Sequence, residues 1–502
     1  VSRPAPLDRR FEAFVFDWDG TAVPDRQADA SDVRSRLEAL CRLGADIAVI
    51  SGTNVGNVDG QLGARPVGPG RLYLCLNRGS EVFQVGADGL RLVFRRTATP
   101  GEETALTSAA ELAAKRLAER GLRTEVVSAR LNRRKIDLIP DPGWADPPKA
   151  RVAELLEAVE DRLASVGIGG LREVAGIAAE AAADAGLAGA RVTSDAKHLE
   201  IGLTDKSDSA RWAFGELWRR GIAAVLTLVA GDEMGSLGGL PGSDSLLLVP
   251  EAEGATVVSV GPEPEGAPAG VIAVGGGPAA FLALLDDQLE RRRRRELPRL
   301  AEAEGWSLAV DGLDPELERV HEALLTLSDG VIGTSGAPLA RHPATTPGVV
   351  AMGVYEGEGP ETALAPLPVW SGLPFPLAPG ARLRRVLDLR TGILLEELEQ
   401  GDGSLESLRF SSLARPGAAA LRAVGDSSLL HRVDPSPEAA SAAMVVEDST
   451  ESDGRVALDR IAAYAPGAAA ESARLRLEAA RREGYEALLA EHRAAWAARW
   501  ED

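Results

Sequence analysis

Apolar positions follow two different textures along this chain. In the first half, short apolar runs alternate with helical spacings. Phe14–Phe16 ends abruptly at Asp17-Trp18-Asp19-Gly20-Thr21, Ala45–Ile50 at Ser51-Gly52-Thr53, and Val225–Ala230 at Gly231-Asp232. Runs this short, closed by small polar turns, predict buried strands. Between the first two, Val33, Leu37 and Leu40 share one face of a helix predicted over Ser31–Leu43, with Ser31 as its cap. The same patterns predict strands at Leu72–Leu76 and Ser80–Val85 around an Asn77-Arg78-Gly79 turn, then at Ile136–Ile139, Leu246–Val249, Thr256–Val260 and Val271–Val274. Helices are predicted over Leu106–Gly121, Arg151–Val166, Ser209–Trp218 and Ala279–Gln288. Strand–helix–strand order, with small residues at each strand exit, predicts a parallel α/β sheet whose site lies at its carboxyl edge.

Beyond Trp306 the texture changes. Gly, Pro and Thr punctuate strand-like runs such as Val349–Tyr355, Arg382–Leu389 and Ser407–Leu413, which predicts an all-β sandwich. From Ala468 the chain turns Ala/Arg/Glu-rich and helical, through Trp496 and Trp500. The five arginines Arg291–Arg295 lie among acids and are read as a solvated helix end or linker. The 502 residues suit about three domains.

Composition then narrows the classes. Apolar residues at 45% and charged residues at 26% fit a globular chain, and no apolar run approaches the roughly 18–20 residues of a membrane span. A net charge of −20 argues against nucleic acid and anionic membranes as partners. Only five lysines occur: Lys115, Lys135, Lys149, Lys197 and Lys206. Cys41 and Cys75 form no metal-binding or disulfide pattern, and Val1–Arg10 carries no apolar leader, so a cytoplasmic location is expected.

The chemistry concentrates at the strand exits. Asp17 can attack phosphorus, and Asp19 can protonate a leaving oxygen and later activate water. Gly20 lets the chain turn, and amides around Gly20 and Thr21 can hold phosphate oxygens. Ser51 or Thr53 supplies a hydroxyl, with Ser51 preferred as the first residue after its strand. Lys206 supplies a cation, and Asp232 and Glu233 supply hard oxygen ligands for Mg²⁺. Nucleophile, acid/base, cation and metal are what phosphoryl transfer needs.

In this order over residues 11–290, the set resembles the haloacid dehalogenase-like hydrolase superfamily. The resemblance implies a Mg²⁺-dependent phosphatase with Asp17 as nucleophile, Asp19 as acid/base, Ser51 and Lys206 on the phosphoryl group, and metal ligands from Asp17, the Asp19 carbonyl and Asp232. The second metal-loop acid of many relatives is displaced here, leaving Glu233 or Asp244 to substitute. Residues 18–50 leave no room for a domain, so the insertion lies after Ser51. That resembles trehalose-phosphatase, phosphomannomutase and Cof-type sugar phosphatases, and implies a sugar phosphate such as trehalose 6-phosphate as the small-molecule substrate. The expected organisation is a core over 1–85 and 200–297, an inserted α/β cap over 86–199, a linker over 298–306, the sandwich over 307–467 and a helical segment over 468–502. In the cap, Arg130, Arg133, Arg134, Lys135 and Glu200 are candidate substrate contacts, with Gly20, Thr21, Gly52 and Thr53 beside the phosphoryl group.

His321–Gly336, Gly353-Val354-Tyr355-Glu356, Leu387–Gly392 and Glu483-Gly484-Tyr485 through Trp496 and Trp500 resemble the amino-terminal domain and helical linker of glycoside hydrolase family 65, mostly disaccharide phosphorylases. That family places its catalytic acid in an (α/α) barrel after the linker. The expectation is a portion of a longer bifunctional protein, with no family 65 turnover from this chain and a homodimer as the associated assembly. A second expectation is a degenerate first domain beside a carbohydrate-binding or oligomerisation sandwich.

Overall fold

The computed structural model describes residues 4–144, 151–263, 266–299, 305–430, 443–452, 454–465 and 470–501. The chain divides into two compact units, residues 1–7, 11–217 and 227–289 forming one and 8–10, 218–226 and 290–502 the other. Among the described residues, no helix is long and apolar enough to cross a membrane.

The first unit opens with β1 (Ala13–Asp17), α1 (Ser31–Arg42), β2 (Asp46–Ile50), α2 (Val55–Leu62), β3 (Leu72–Leu76), β4 (Glu81–Gly86) and β5 (Gly89–Arg95). The inserted layer follows as α3 (Pro100–Glu119), β6 (Glu125–Val127), β7 (Arg133–Asp137), α4 (Val152–Ala164), α5 (Leu171–Asp184), β8 (Arg191–Ser194) and β9 (His198–Gly202). The chain returns through α6 (Lys206–Arg219), β10 (Thr227–Gly231), the short hairpin β11 (Ser236–Leu237) and β12 (Leu240–Pro241), β13 (Thr256–Ser259), β14 (Val271–Ala273) and α7 (Gly277–Arg293).

The main sheet has the order β14-β13-β10-β1-β2-β3-β4-β5. It is parallel from β14 to β3, and β4 and β5 add an antiparallel edge. Strands β1, β2, β3 and β10 are buried at every position. Helices cover both faces of such a sheet, so its strands read as unbroken apolar runs rather than alternations. Parallel register then sets Asp17 beside Ile50 and Phe16 beside Ala230, so the exits of β1, β2 and β10 meet at one edge.

The cap is a separate four-stranded antiparallel sheet, β6-β7-β9-β8, with its own apolar core that includes Leu106, Leu117, Leu163 and Leu171. Thr99 and Glu102 close a capping box at the start of α3, with Pro100 at its first turn. The boundaries drawn at 86 and 199 shift, because β5 pairs with β4 in the core sheet and β9 continues the cap sheet to Gly202. The outgoing and returning chain segments meet at one buried polar cluster. Asn132 accepts from the Ala98 amide at 2.7 Å and donates to Ser80 Oγ at 2.9 Å, and Ser80 lies 2.8 Å from the Thr204 hydroxyl. Leu246–Val249, expected as a strand, is instead the end of a 3₁₀ turn over Ser243–Leu247 and the loop after it. Its apolar run is packed by that turn rather than paired in the sheet.

The second unit contains β15 (Ser307–Asp311), α8 (Glu318–Leu324), β16 (Leu327–Ser328), β17 (Ile332–Thr334), β18 (Val349–Ala351), β19 (Tyr355–Glu356), β20 (Ala363–Leu364), β21 (Arg382–Asp388), β22 (Ile393–Gln400), β23 (Gly403–Ser411), β24 (Ala418–Asp426), β25 (Ala443–Ser452), β26 (Arg455–Tyr464) and α9 (Ala470–Glu501). A seven-stranded antiparallel sheet of order β15-β21-β22-β23-β24-β26-β25 is accompanied by the small sheet β16-β17-β18. Helix α9 breaks at Gly484, where φ is 77°. The linker expected at 298–306 and the boundary at 467–468 lie partly outside the described residues. The arginine run is not simply solvated: Arg292 is buried, Arg291 pairs with Glu296 and Arg294 with Glu290.

Charges are stitched into this second core. Arg385 on β21 and Glu318 on α8 are fully buried and joined by two hydrogen bonds of 2.7 and 3.0 Å. Removing one member of such a pair leaves the other charge buried without compensation. Arg385→Ala is expected to cost about 3–5 kcal/mol, seen as a lower urea midpoint by tryptophan fluorescence.

Candidate active site

Three carboxylates converge at the carboxyl edge of the main sheet. Asp17 ends β1, Asp232 follows β10, and Asp244 lies in the 3₁₀ turn Ser243–Leu247. All three are buried, and their ligand oxygens lie within 4.8 Å of one another. Lys206 opens α6, whose first turn is organised by the Asp205 carboxylate accepting from the Ser207 amide at 2.8 Å. The Lys206 ammonium donates to Asp17 Oδ1 at 2.7 Å and to Asp244 Oδ1 at 2.6 Å. Burial alone would lower the pKa of this lysine, but Asp17 and Asp244 outweigh it and hold the ammonium firmly charged.

Asp244 also fixes the loop around it. Its Oδ2 accepts from the amides of Asp232 and Glu233 at 2.9 and 3.0 Å. Gly20 has φ 93°, and a Cβ there would meet Asp232 Oδ2 at 2.2 Å. Thr21 donates to Asp232 Oδ1 at 3.1 Å. Gly20 and Thr21, expected beside the phosphoryl group, thus lie against the Asp232 carboxylate. Buried hard oxygens in this number and proximity suit Mg²⁺, with Asp17, Asp232 and Asp244 as side-chain ligands. Glu233, expected among the ligands, lies outside this set and lines the cavity.

Above the carboxylates lies a cavity of about 530 Å³ between core and cap. The core contributes Asp17, Asp19, Ser51, Gly52, Thr53, Arg78 and Lys206, and the cap contributes Arg130, Arg133, Lys135, Asp195, Lys197, His198 and Glu200. Three of the five lysines thus line one cavity. Asp19 is partly open to it, and its Oδ1 is an acceptor without a hydrogen-bond partner, while Arg26 stands 3.7 Å from Oδ2. The Ser51 hydroxyl accepts from the Thr53 amide at 3.3 Å, which shapes the loop after β2.

Glu200 is the hub of the cap wall. Arg78 and Lys135 each approach it to 2.6 Å and Arg133 to 3.7 Å. Burial alone would raise its pKa, but Arg78, Lys135 and Arg133 hold it down to about 2 from the ordinary 4.5. Arg133 also donates to the Gly52 carbonyl at 2.6 Å, and burial lowers its pKa to about 10. Arg134, expected as a substrate contact, points away and bonds Glu103 and Thr107 of α3. Side chains alternate along β7, so Arg133 and Lys135 share one face and Arg134 takes the other. Arg78 and His198 were not among the residues picked from sequence, Lys197 was named only for its rarity, and Asp244 only as an alternative to Glu233. Strand alternation could have excluded Arg134; no periodic signal points to Arg78 or Asp244.

The comparison by family falls on the second unit: residues 308–424 match the Glycosyl hydrolase family 65, N-terminal domain. Among curated proteins, an uncharacterized glycosyl hydrolase of Mycobacterium tuberculosis is 32% identical over 142 residues, which are 23% of this chain and 11% of that protein. This chain therefore spans about a tenth of the length of the curated relatives it matches. Among solved structures, IMP-nucleotidase of Plasmodium falciparum aligns at a TM-score of 0.35 with 12% identity, over 57% of this chain and 69% of that one. A candidate kojibiose phosphorylase from the human microbiome aligns at 0.29 with 12% identity, over 38% and 34%.

Two outcomes are expected from this geometry. Gly20→Ala should cost about 1–2 kcal/mol in backbone strain and displace Asp232, lowering both the melting temperature and the Mg²⁺ affinity by calorimetry. The folded-state pKa of Glu200 is depressed, so its contribution to stability is present above pH 4.5 and is lost as pH falls from 4.5 toward 2. Acid unfolding followed by circular dichroism should show a smaller loss over that interval in Glu200→Gln.

Proposed function

We propose that the first unit is a Mg²⁺-dependent phosphatase acting on a phosphorylated sugar, trehalose 6-phosphate or a related hexose phosphate. The observation that carries this is the Lys206 ammonium bridging Asp17 and Asp244 inside the carboxylate triad, at the floor of a cavity with a polar, cationic cap wall. Lys206 pairs with Asp17 and aims it, which is what a carboxylate nucleophile needs. Asp17 attacks phosphorus, forming the P–O bond of an aspartyl-phosphate as the bond to the sugar oxygen breaks. Asp19 gives that oxygen its proton. It then takes a proton from water, which attacks the aspartyl-phosphate and releases inorganic phosphate and Asp17. Ser51 donates to a phosphoryl oxygen. Mg²⁺ held by Asp17, Asp232 and Asp244 would neutralise charge on the phosphoryl oxygens. A cavity of about 530 Å³ falls within the ordinary range for small-molecule sites, and its hydrogen-bonding wall suits sugar hydroxyls.

Asp244 in the triad supports a complete metal loop over a degenerate one. The second unit is proposed as the amino-terminal portion of a family 65 protein.

A panel of sugar phosphates assayed with Mg²⁺ should release inorganic phosphate, and chelation should stop it. Asp17→Asn should abolish release, and Asp19→Asn should lower it about 10²–10⁴-fold. Undiminished release by folded Asp17→Asn would sink the assignment.

A further inference from the structure

Strand β3 exits through three successive residues in the left-handed region, with φ of 51° at Asn77, 51° at Arg78 and 85° at Gly79. A residue with a Cβ costs about 1–2 kcal/mol there. Such strain persists where the surroundings enforce it, and it concentrates at functional sites. Here the enforcement is visible. The Asn77 amide donates to the Thr53 carbonyl at 2.9 Å, its side chain donates to Glu81 at 2.5 Å, and a Cβ on Gly79 would meet the Asp205 carbonyl at 2.6 Å. The turn brings Asn77 and Arg78 to the cavity above Asp17.

Arg78 is only 6% exposed. Its Nε lies 2.6 Å from Glu200 Oε2, yet Nε and Nη1 make no hydrogen bond of usable geometry. Leaving buried donors unsatisfied costs about 1–3 kcal/mol each, so two such N–H groups on a residue that lines a cavity point to an acceptor that arrives from outside. The guanidinium lies over the loop after β2: a Cβ on Gly52 would be 3.6 Å from Nε, with Ser51 and Thr53 on either side. Burial works against its charge, but Glu200, Asp195, Glu233 and Asp17 together outweigh that penalty. The other core cations lining the cavity are engaged elsewhere, Lys206 with Asp17 and Asp244 and Arg26 with Asp19.

We propose that Arg78 is a phosphoryl-oxygen ligand of the active site, held by Glu200 of the cap until a phosphoryl group occupies the Ser51–Thr53 loop and takes its free N–H groups. This rests on the phosphatase reading above. A guanidinium offers two parallel donors to phosphate oxygens, a geometry a point charge cannot match. The exchange also removes one of the three cations on Glu200 and leaves Lys135 and Arg133, so occupancy of the phosphate loop is communicated to the cap wall.

Calorimetric titration of inorganic phosphate into the full chain tests this, with Mg²⁺ and again with Mg²⁺ chelated. Arg78→Gly suits the test because glycine takes a φ of 51° without strain and so preserves the turn. It should weaken phosphate binding at least about tenfold, and Arg78→Lys should recover only part of the loss. Glu200→Gln should tighten phosphate several-fold in the wild-type background and less than about twofold in the Arg78→Gly background, because what Glu200 withholds is Arg78. Wild-type affinity in Arg78→Gly, or an equal effect of Glu200→Gln in both backgrounds, would overturn the assignment while leaving the phosphatase reading in place. A wild-type chain that binds no phosphate in either condition would overturn both.

Discussion

The first unit depends on how one buried ammonium balances three buried carboxylates. Asp17, Asp232 and Asp244 lie on different segments, and each alone would resist burial beside the others. Lys206 supplies charge to two of them, and backbone amides and Thr21 supply donors to Asp244 and Asp232. Much else follows from that balance. Gly20 must lack a Cβ so that Asp232 can approach, and α6 must begin where its first residue reaches the exit of β1. The parallel register of β1, β2 and β10 gives all of them a common edge.

The same economy of charge runs through the cap and the second unit. A chain with net charge −20 gathers arginines and lysines where acids are buried. Glu200 receives Arg78, Arg133 and Lys135; Glu318 receives Arg385; Arg422 lies between Asp459 and Glu486. In the second unit these pairs are closed within the core. In the cap they border an open cavity, where donors left unsatisfied in the protein are available to a ligand.

What the sequence disclosed follows from how each residue is delivered. Asp17, Asp19, Ser51 and Asp232 each follow a wholly buried strand, and an apolar run that stops at a polar turn is legible without a structure. Lys206 stood out because lysines are so few. Asp244 was only an alternative to Glu233, because it sits beyond a two-residue hairpin in a 3₁₀ turn, where neither a period of 2.0 nor one of 3.6 applies. The same turn absorbed the apolar residues at 246–249 that imitate a strand. Arg78 was hidden for a different reason: its importance lies in a backbone conformation that its side-chain identity does not announce. In the second half, β21 and β23 were legible as short runs between turn residues, while β26 was not, and neither were the buried Arg385 and Arg409, since a charged residue in a strand ordinarily marks the solvent face.

The knot formed by Asn132, Ser80, Thr204 and the Ala98 amide has a consequence for how this architecture tolerates change. Because the chain leaves for the cap and comes back at one point, the core experiences the whole insertion as a single closed loop. The entropic cost of closing a loop grows only with the logarithm of its length, about 0.6 kcal/mol for each doubling. Segments of the cap can therefore lengthen, shorten or be replaced at little expense to the sheet beneath. The side chains of the cap wall are free to drift while the carboxylates and Lys206 stay where the sheet put them.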